Sequence, residues 1–165
     1  NDKSMLDKVF KMHNFGHDGP TRISTIGING KIDEFRAILG LSILDDIESL
    51  IDKRKGVYDI YIDQLNSTKL QFINLETTFK WNYSYFPVVF EAEKTLLRVM
   101  RELNKSEIYP RRYFYPALNT LPFYPYTKME VSESISKRIL CLPFHHNLDI
   151  FQLEKVIKII NKNLC

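Results

Sequence analysis

The longest hydrophobic pattern in the chain starts at Ile32 and passes through Phe35, Leu39, Ile43, Ile47, Leu50, Val57, Tyr61 and Leu65. The steps are mostly three and four, which line one face of a helix. Asp33 and Glu34 fall in its first turn, where carboxylates suit the positive end of the helix dipole. Gly40 inside the pattern has an expected cost of about 1 kcal/mol against Ala, so it predicts close packing or a kink. A bent helix of more than thirty residues would reach across more than one structural unit.

Around it the pattern changes period several times. Met5, Leu6, Val9, Phe10 and Met12 predict a helix over residues 3–13. Residues 13–30 hold four glycines and a proline and read as a loop, long enough to be either functional or disordered. Residues 70–73 fit a short strand. Residues 83–90 are the strongest strand candidate, because aromatic and β-branched residues dominate. Pro87 cannot donate to a ladder, which predicts an edge or a bulge there. Leu96, Val99, Met100 and Leu103 mark a helix over 92–103. Residues 107–115 are short, extended and aromatic between Pro110 and Pro116. Ser132 reads as the N-cap of a brief helix reaching Ile139. Residues 140–142 form a strand closed by Pro143. From about Asp149, a last helix puts Leu153, Val156, Ile157, Ile160 and Leu164 on one face. Without parallel βαβ repeats, the expected product is a small sheet covered on one side by helices.

Composition adds bounds. A length of 165 residues allows one sizeable core, or a small domain with an attached remnant. Hydrophobic residues make up 44% and charged residues 26%, as in ordinary globular proteins. A formal charge of +3 is too small to argue for nucleic acid. Cys141 and Cys165 make no disulfide framework, so a reduced, cytoplasmic setting is expected. No apolar run approaches the roughly twenty residues needed to cross a bilayer, and no membrane association is expected. His13 and His17 flank Gly16, and His145 and His146 are adjacent. Neither pair has zinc-like spacing to a cysteine or carboxylate, so no metal site is expected. No P-loop, dinucleotide fingerprint or nucleophile elbow occurs.

Gly27-x-Asn29-Gly30-Lys31-Ile32-x-Glu34-x-x-Ala37-x-x-Gly40-Leu41 resembles a segment of the DegT/DnrJ/EryC1/StrS aminotransferases. His13-Asn14-Phe15-Gly16, Arg111-Arg112-Tyr113-Phe114-Tyr115-Pro116 and Arg138-Ile139-Leu140-Cys141-Leu142-Pro143 fit the same family, in the same order. The resemblance implies an α/β, fold-type-I transferase that uses pyridoxal phosphate to aminate nucleotide-linked keto-sugars, with glutamate as amino donor. It also implies a homodimer. Residues 1–31 would be a remnant of the large cofactor-binding domain with its cofactor-facing loop. Residues 32–165 would be the C-terminal small domain, including the long interdomain helix.

The same resemblance assigns roles. Asn29 would reach into the neighbouring subunit and donate to the cofactor phosphate, a charge-assisted bond worth about 1.5–3 kcal/mol. On its own, Asn29-Gly30 reads as a short hairpin turn. Lys31, Arg111, Arg112 and Tyr113 would bind the substrate, the arginines suiting its diphosphate. By themselves the two arginines also read as a solvated edge over an aromatic core, or as a minor nucleic-acid surface. The family's Schiff-base lysine and its acidic partner for the pyridine nitrogen lie upstream of the Gly-x-Asn motif. Lys3, Lys8 and Lys11 lack the serine-rich strand context of that lysine. The chain is therefore expected to be a C-terminal fragment with no catalytic residue of its own, inactive alone and binding no cofactor alone. A non-catalytic association or regulatory module on the same domain is the alternative.

Overall fold

A computed structural model describes residues 2–65, 68–73 and 79–164. Two compact units, Asn1–Ile47 and Glu48–Cys165, divide the chain. This division by compactness is separate from the boundary at residue 31 expected above, which concerns the domains of a larger protein.

In the first unit, α1 (Lys3–Met12) starts where the Asp2 carboxylate accepts from the Ser4 and Met5 amides, at 2.9 and 3.3 Å. Two of the free amides at the helix start are thereby satisfied. The expected loop then folds back on the end of α1 through its main chain. Ile28 N–H donates to Met12 O at 2.8 Å, and Gly30 N–H to His13 O at 2.8 Å. Such approach leaves no room for side chains: a Cβ on Gly27 would lie 2.4 Å from Met12 O. The second helix, α2 (Glu34–Asp45), is N-capped by Asp33, whose carboxylate accepts from the Arg36 amide at 2.8 Å. Neither α1 nor α2 buries a single residue.

The long amphipathic pattern is not one helix. Asp46, at φ −104° and ψ 0°, separates α2 from α3 (Ile47–Gln64). The break falls where two aspartates stand together, whose short side chains compete for backbone groups. Gly40 lies in the unbroken interior of α2, and a Cβ there would meet nothing within 4 Å. It marks neither the kink nor a close approach within the described residues.

The second unit is a mixed α+β fold holding the three strands found among the described residues. β1 (Leu70–Phe72), β2 (Phe86–Phe90) and β3 (Ile139–Leu142) form an antiparallel sheet in the order β1-β2-β3. Leu70 pairs with Phe90, Val88 with Leu140, and Phe86 with Leu142, so these buried residues share one face. That face enters a core with Tyr61 of α3, Leu96, Val99 and Leu103 of α4 (Glu93–Lys105), and Leu153, Val156, Ile157 and Ile160 of α6 (Ile150–Lys162). The Tyr61 ring stacks on Phe86 at 4.7 Å and its hydroxyl donates to Pro143 O at 2.9 Å. Burial raises the Tyr61 pKa, so the phenol stays neutral.

Two local expectations need correcting. Pro87 sits on the central strand, opposite Cys141, rather than at an edge or bulge. Cys141 directs both its backbone groups away from β2: its N–H donates to Arg111 O at 2.8 Å and its carbonyl accepts from Arg111 N–H at 3.1 Å. Pro87–Cys141 is therefore a non-hydrogen-bonded pair, and the proline nitrogen faces the side where β1 has already ended at Phe72. No ladder bond is lost. The other correction concerns α5 (Glu130–Arg138), which begins before Ser132. Its start is held by the Glu133 carboxylate, which reaches back to accept from Met129 N–H at 2.9 Å.

Cys141 is a buried free thiol, whereas Cys165 lies outside the described residues. Among the described residues no helix is long and apolar enough to cross a membrane, and no three His, Cys, Asp or Glu side chains cluster as metal ligands.

Candidate functional site

The aromatic-arginine segment at 109–116 is fastened to the outer edge of β3 by the Arg111–Cys141 bridge. Successive side chains of an extended segment point to opposite sides. Arg111 and Arg112 accordingly meet different surroundings. The Arg111 guanidinium is exposed, and its Nη1 donates to the Tyr113 hydroxyl at 2.9 Å. Arg112 turns inward with a side chain only 16% exposed. Its Nη2 donates to Glu93 Oε1 in the first turn of α4 and to Lys137 O in the last turn of α5, both at 2.8 Å. Its guanidinium also lies 3.6 Å from the centre of the Tyr115 ring. Arg112 Nε is buried without a partner among the described residues. Arg112 thus joins two helix ends, and Arg111 is the member of the pair open to a ligand.

Two cavities adjoin this segment. A polar cleft of about 690 Å³ is lined by Arg111, Glu107, His145, Gln152 and Lys155, among others. A smaller, apolar cavity of about 370 Å³ is lined by Tyr58, Trp81, Tyr83, Pro87, Phe114 and Ile139, among others. Ser84, Tyr85, Tyr113 and Cys141 border both. Tyr85 and Tyr113 meet edge to face at 5.7 Å and form the partition. Burial pushes the Cys141 thiol up from its ordinary value, against a smaller opposing effect of a backbone hydrogen bond from Tyr113. A protonated thiol is a poor nucleophile, so Cys141 serves the wall.

The apolar cavity was not foreseen as a site. Its signal was present in Phe79, Trp81, Tyr83 and Tyr85, which alternate with polar Lys80, Asn82 and Ser84. That stretch stops short of β2, so its aromatics are not drawn into ladder pairing.

In the first unit, Asn29 pairs with Asn14 in an isolated bridge and is not the tip of a hairpin turn. Its exposed side chain makes no hydrogen bond among the described residues, on backbone held by the Gly30 to His13 bond. Lys31 is also exposed, with Nζ 5.4 Å from the centre of the Phe15 ring. A free amide on fixed backbone is a fitting donor for a phosphate oxygen.

The fold has clear counterparts among aminotransferases. A DegT DnrJ EryC1 StrS aminotransferase from Brucella abortus matches with a TM-score of 0.87 at 23% identity, over 98% of this chain and 44% of that one. The aminotransferase TlmJ from Streptoalloteichus hindustanus gives 0.89 at 18% identity, over 99% and 46%. Residues 1–161 match the DegT/DnrJ/EryC1/StrS aminotransferase family, and the chain belongs to it. In sequence it is 30% identical to the dTDP-4-amino-4,6-dideoxy-D-glucose transaminase of Shigella dysenteriae, across 98% of this chain and 46% of that protein. The chain spans a little under half the length of these relatives. A further similar structure, at a TM-score of 0.83 and 21% identity over 96% of this chain and 45% of that one, is described as a putative PLP-dependent aminotransferase from Bacillus cereus.

Proposed function

We propose that this chain is the C-terminal part of an aminotransferase that moves an amino group from glutamate to a keto-deoxy sugar carried on a nucleotide, with dTDP favoured. The protein works as a cytoplasmic homodimer. Pyridoxal phosphate, when bound, carries the amino group between donor and acceptor. Asn29 donates its amide N–H to the phosphate of the cofactor held by the neighbouring subunit. Lys31 adds positive charge towards the anionic ligands. Arg111 and Tyr113 contact the sugar nucleotide, Arg111 through the diphosphate. Arg112 contributes to the same site by holding the segment that carries them. Residues 1–31 belong to the large cofactor-binding domain and residues 32–165 to the small one. The cofactor-bearing lysine comes from a part of the protein outside this chain, which by itself is inactive.

The observation that carries this reading is the exposed Arg111 guanidinium at the polar cleft, in a chain 30% identical along nearly its whole length to a transaminase of a dTDP-linked amino sugar. The test is Arg111→Ala in the full-length protein. Loss of one charged hydrogen bond should raise KM for the dTDP-linked keto-sugar about ten- to a hundredfold and leave KM for glutamate unchanged. Unchanged KM values for both substrates would remove Arg111 from the site. No turnover of any nucleotide-linked keto-sugar by the unaltered protein would refute the reading itself.

A further inference from the structure

We infer that the apolar cavity beside Arg111 is the subsite for the nucleobase of the substrate, a pyrimidine stacked against Trp81 and Phe114. The inference rests on the proposed function and goes further, because it assigns the cavity that no polar contact explains.

Three observations support it. First, the walls are largely aromatic, with Tyr58, Trp81, Tyr83 and Phe114 among the lining residues. Aromatic faces bind bases by stacking, whatever the pattern on the base edge. Asn82 and Ser84 stand in the same wall, where an amide and a hydroxyl can meet a base edge. Second, the size is selective. At about 370 Å³ the cavity is at the small end of ligand pockets, with room for a ring and its pentose rather than a whole sugar nucleotide. Third, the neighbour is right. Tyr113 lines both cavities, and its hydroxyl accepts from Arg111 Nη1 at 2.9 Å. An anion at Arg111 therefore sits where a base joined to it can enter the apolar cavity and the remaining sugar the polar cleft.

The floor is also settled in advance. Pro87, Ile139 and Cys141 come from the sheet face turned away from the helical core. Pro87 has no N–H to satisfy, so a ligand ring over it covers no orphaned donor. Tyr83 lines the opening at φ 47°, a left-handed conformation uncommon for a bulky residue. Its ring lies 5.4 Å from that of Tyr58. The turn is fixed by the Asn82 side chain, which accepts from Ser84 N–H at 3.2 Å. These aromatics are set in place before a ligand arrives.

Trp81 is the single tryptophan of the chain, so its emission reports on this cavity. The experiment titrates the full-length protein with dTDP and with inorganic pyrophosphate. Emission is read as the difference between the unaltered protein and Trp81→Phe, and affinity by calorimetry. Bound dTDP should quench the Trp81 component, whereas pyrophosphate should bind without quenching. Phe114 is 71% exposed, so Phe114→Ala should fold. It should weaken dTDP at least tenfold and leave pyrophosphate unchanged, and Phe114→Tyr should restore the affinity. If dTDP binds with Arg111 dependence but Phe114→Ala keeps the ratio of dTDP to pyrophosphate affinity, or dTDP leaves the difference emission unquenched, the base lies elsewhere. The proposed function would stand in that case. If dTDP does not bind at all, the pyrimidine subsite and the preference for dTDP fall, whereas the aminotransferase reading falls only if no nucleotide-linked keto-sugar is turned over.

Discussion

Arg112→Met removes a cation while keeping most of the volume of its aliphatic stem. The guanidinium holds Glu93 and the Lys137 carbonyl, each at 2.8 Å, and lies over Tyr115. Breaking a well-buried ion pair costs about 3–5 kcal/mol, but Glu93 remains 35% exposed and water can take over much of that partner. The ion pair is then worth about 1 kcal/mol. The carbonyl at the end of α5 adds about 1–2 kcal/mol. The ring contact adds about 0.5–1 kcal/mol. Against these, removing the unpartnered Nε relieves about 1 kcal/mol of desolvation. The net loss is about 1.5–3 kcal/mol, which should lower Tm by roughly 3–12 °C. Arg111→Met serves as the control, because its guanidinium is exposed and bonds within its own segment; it should change stability by less than about 0.5 kcal/mol. Urea and thermal unfolding measure both. If the two variants lose equal stability, or Arg112→Met loses none, Arg112 is not a fastener. A raised KM for the sugar nucleotide without loss of stability would make it a ligand contact instead.

Other outcomes follow from other parts of the chain. Tyr61→Phe deletes the donor to Pro143 O and should cost about 1–2 kcal/mol by urea unfolding. Because burial raises the Tyr61 pKa, its share of stability is intact below about pH 10 and fades as pH rises further; the phenylalanine variant should lack that alkaline decline. Glu133 is lowered by hydrogen bonds from the Met129 amide and then from Asn119 and Tyr126. Its contribution is therefore present above the ordinary carboxylate range and lost as pH falls below it. Glu133→Gln should flatten that acid limb, and an unchanged pH profile would count against the cap. For the proposed dimer, co-assembling a full-length version without the cofactor lysine and one with Asn29→Asp should return about a quarter of wild-type activity. About half of the dimers are then mixed, each with one intact site. No recovery despite proven subunit exchange would refute the shared site.

How much of this was legible depended on what each signal measures. Periodicity located α4, β1, β3 and α6 closely, because their apolar spacing is also their burial pattern: Leu153, Val156, Ile157 and Ile160 are all buried. In the 32–65 stretch the apolar spacing continues past Asp46 although the helix does not, so hydrophobic pattern alone hid a break set by local backbone competition. Pro87 misled because the rule about prolines in sheets concerns which way the missing N–H points, and direction follows from register, which one strand's sequence does not hold. Arg111 and Arg112 look equivalent in the sequence. Their difference comes from Glu93 and Lys137, brought in from distant helix ends.

The first unit tells an experimenter where substitutions should be felt. Its fold is written in main-chain bonds and in glycines, with Gly16 at φ +81° and a Cβ there only 1.8 Å from Thr25 O. A scan of every substitution should find Gly16 and Gly27 intolerant for reasons internal to the unit. Leu6, Phe10, Phe35 and Leu39 are all exposed, so polar replacements there leave those main-chain bonds intact. Any penalty they carry in the assembled protein would then map the surface that covers α1 and α2. The same unit thus holds two separable records, one of its own geometry at the glycines and, in the proposed assembly, one of its neighbours on its helices.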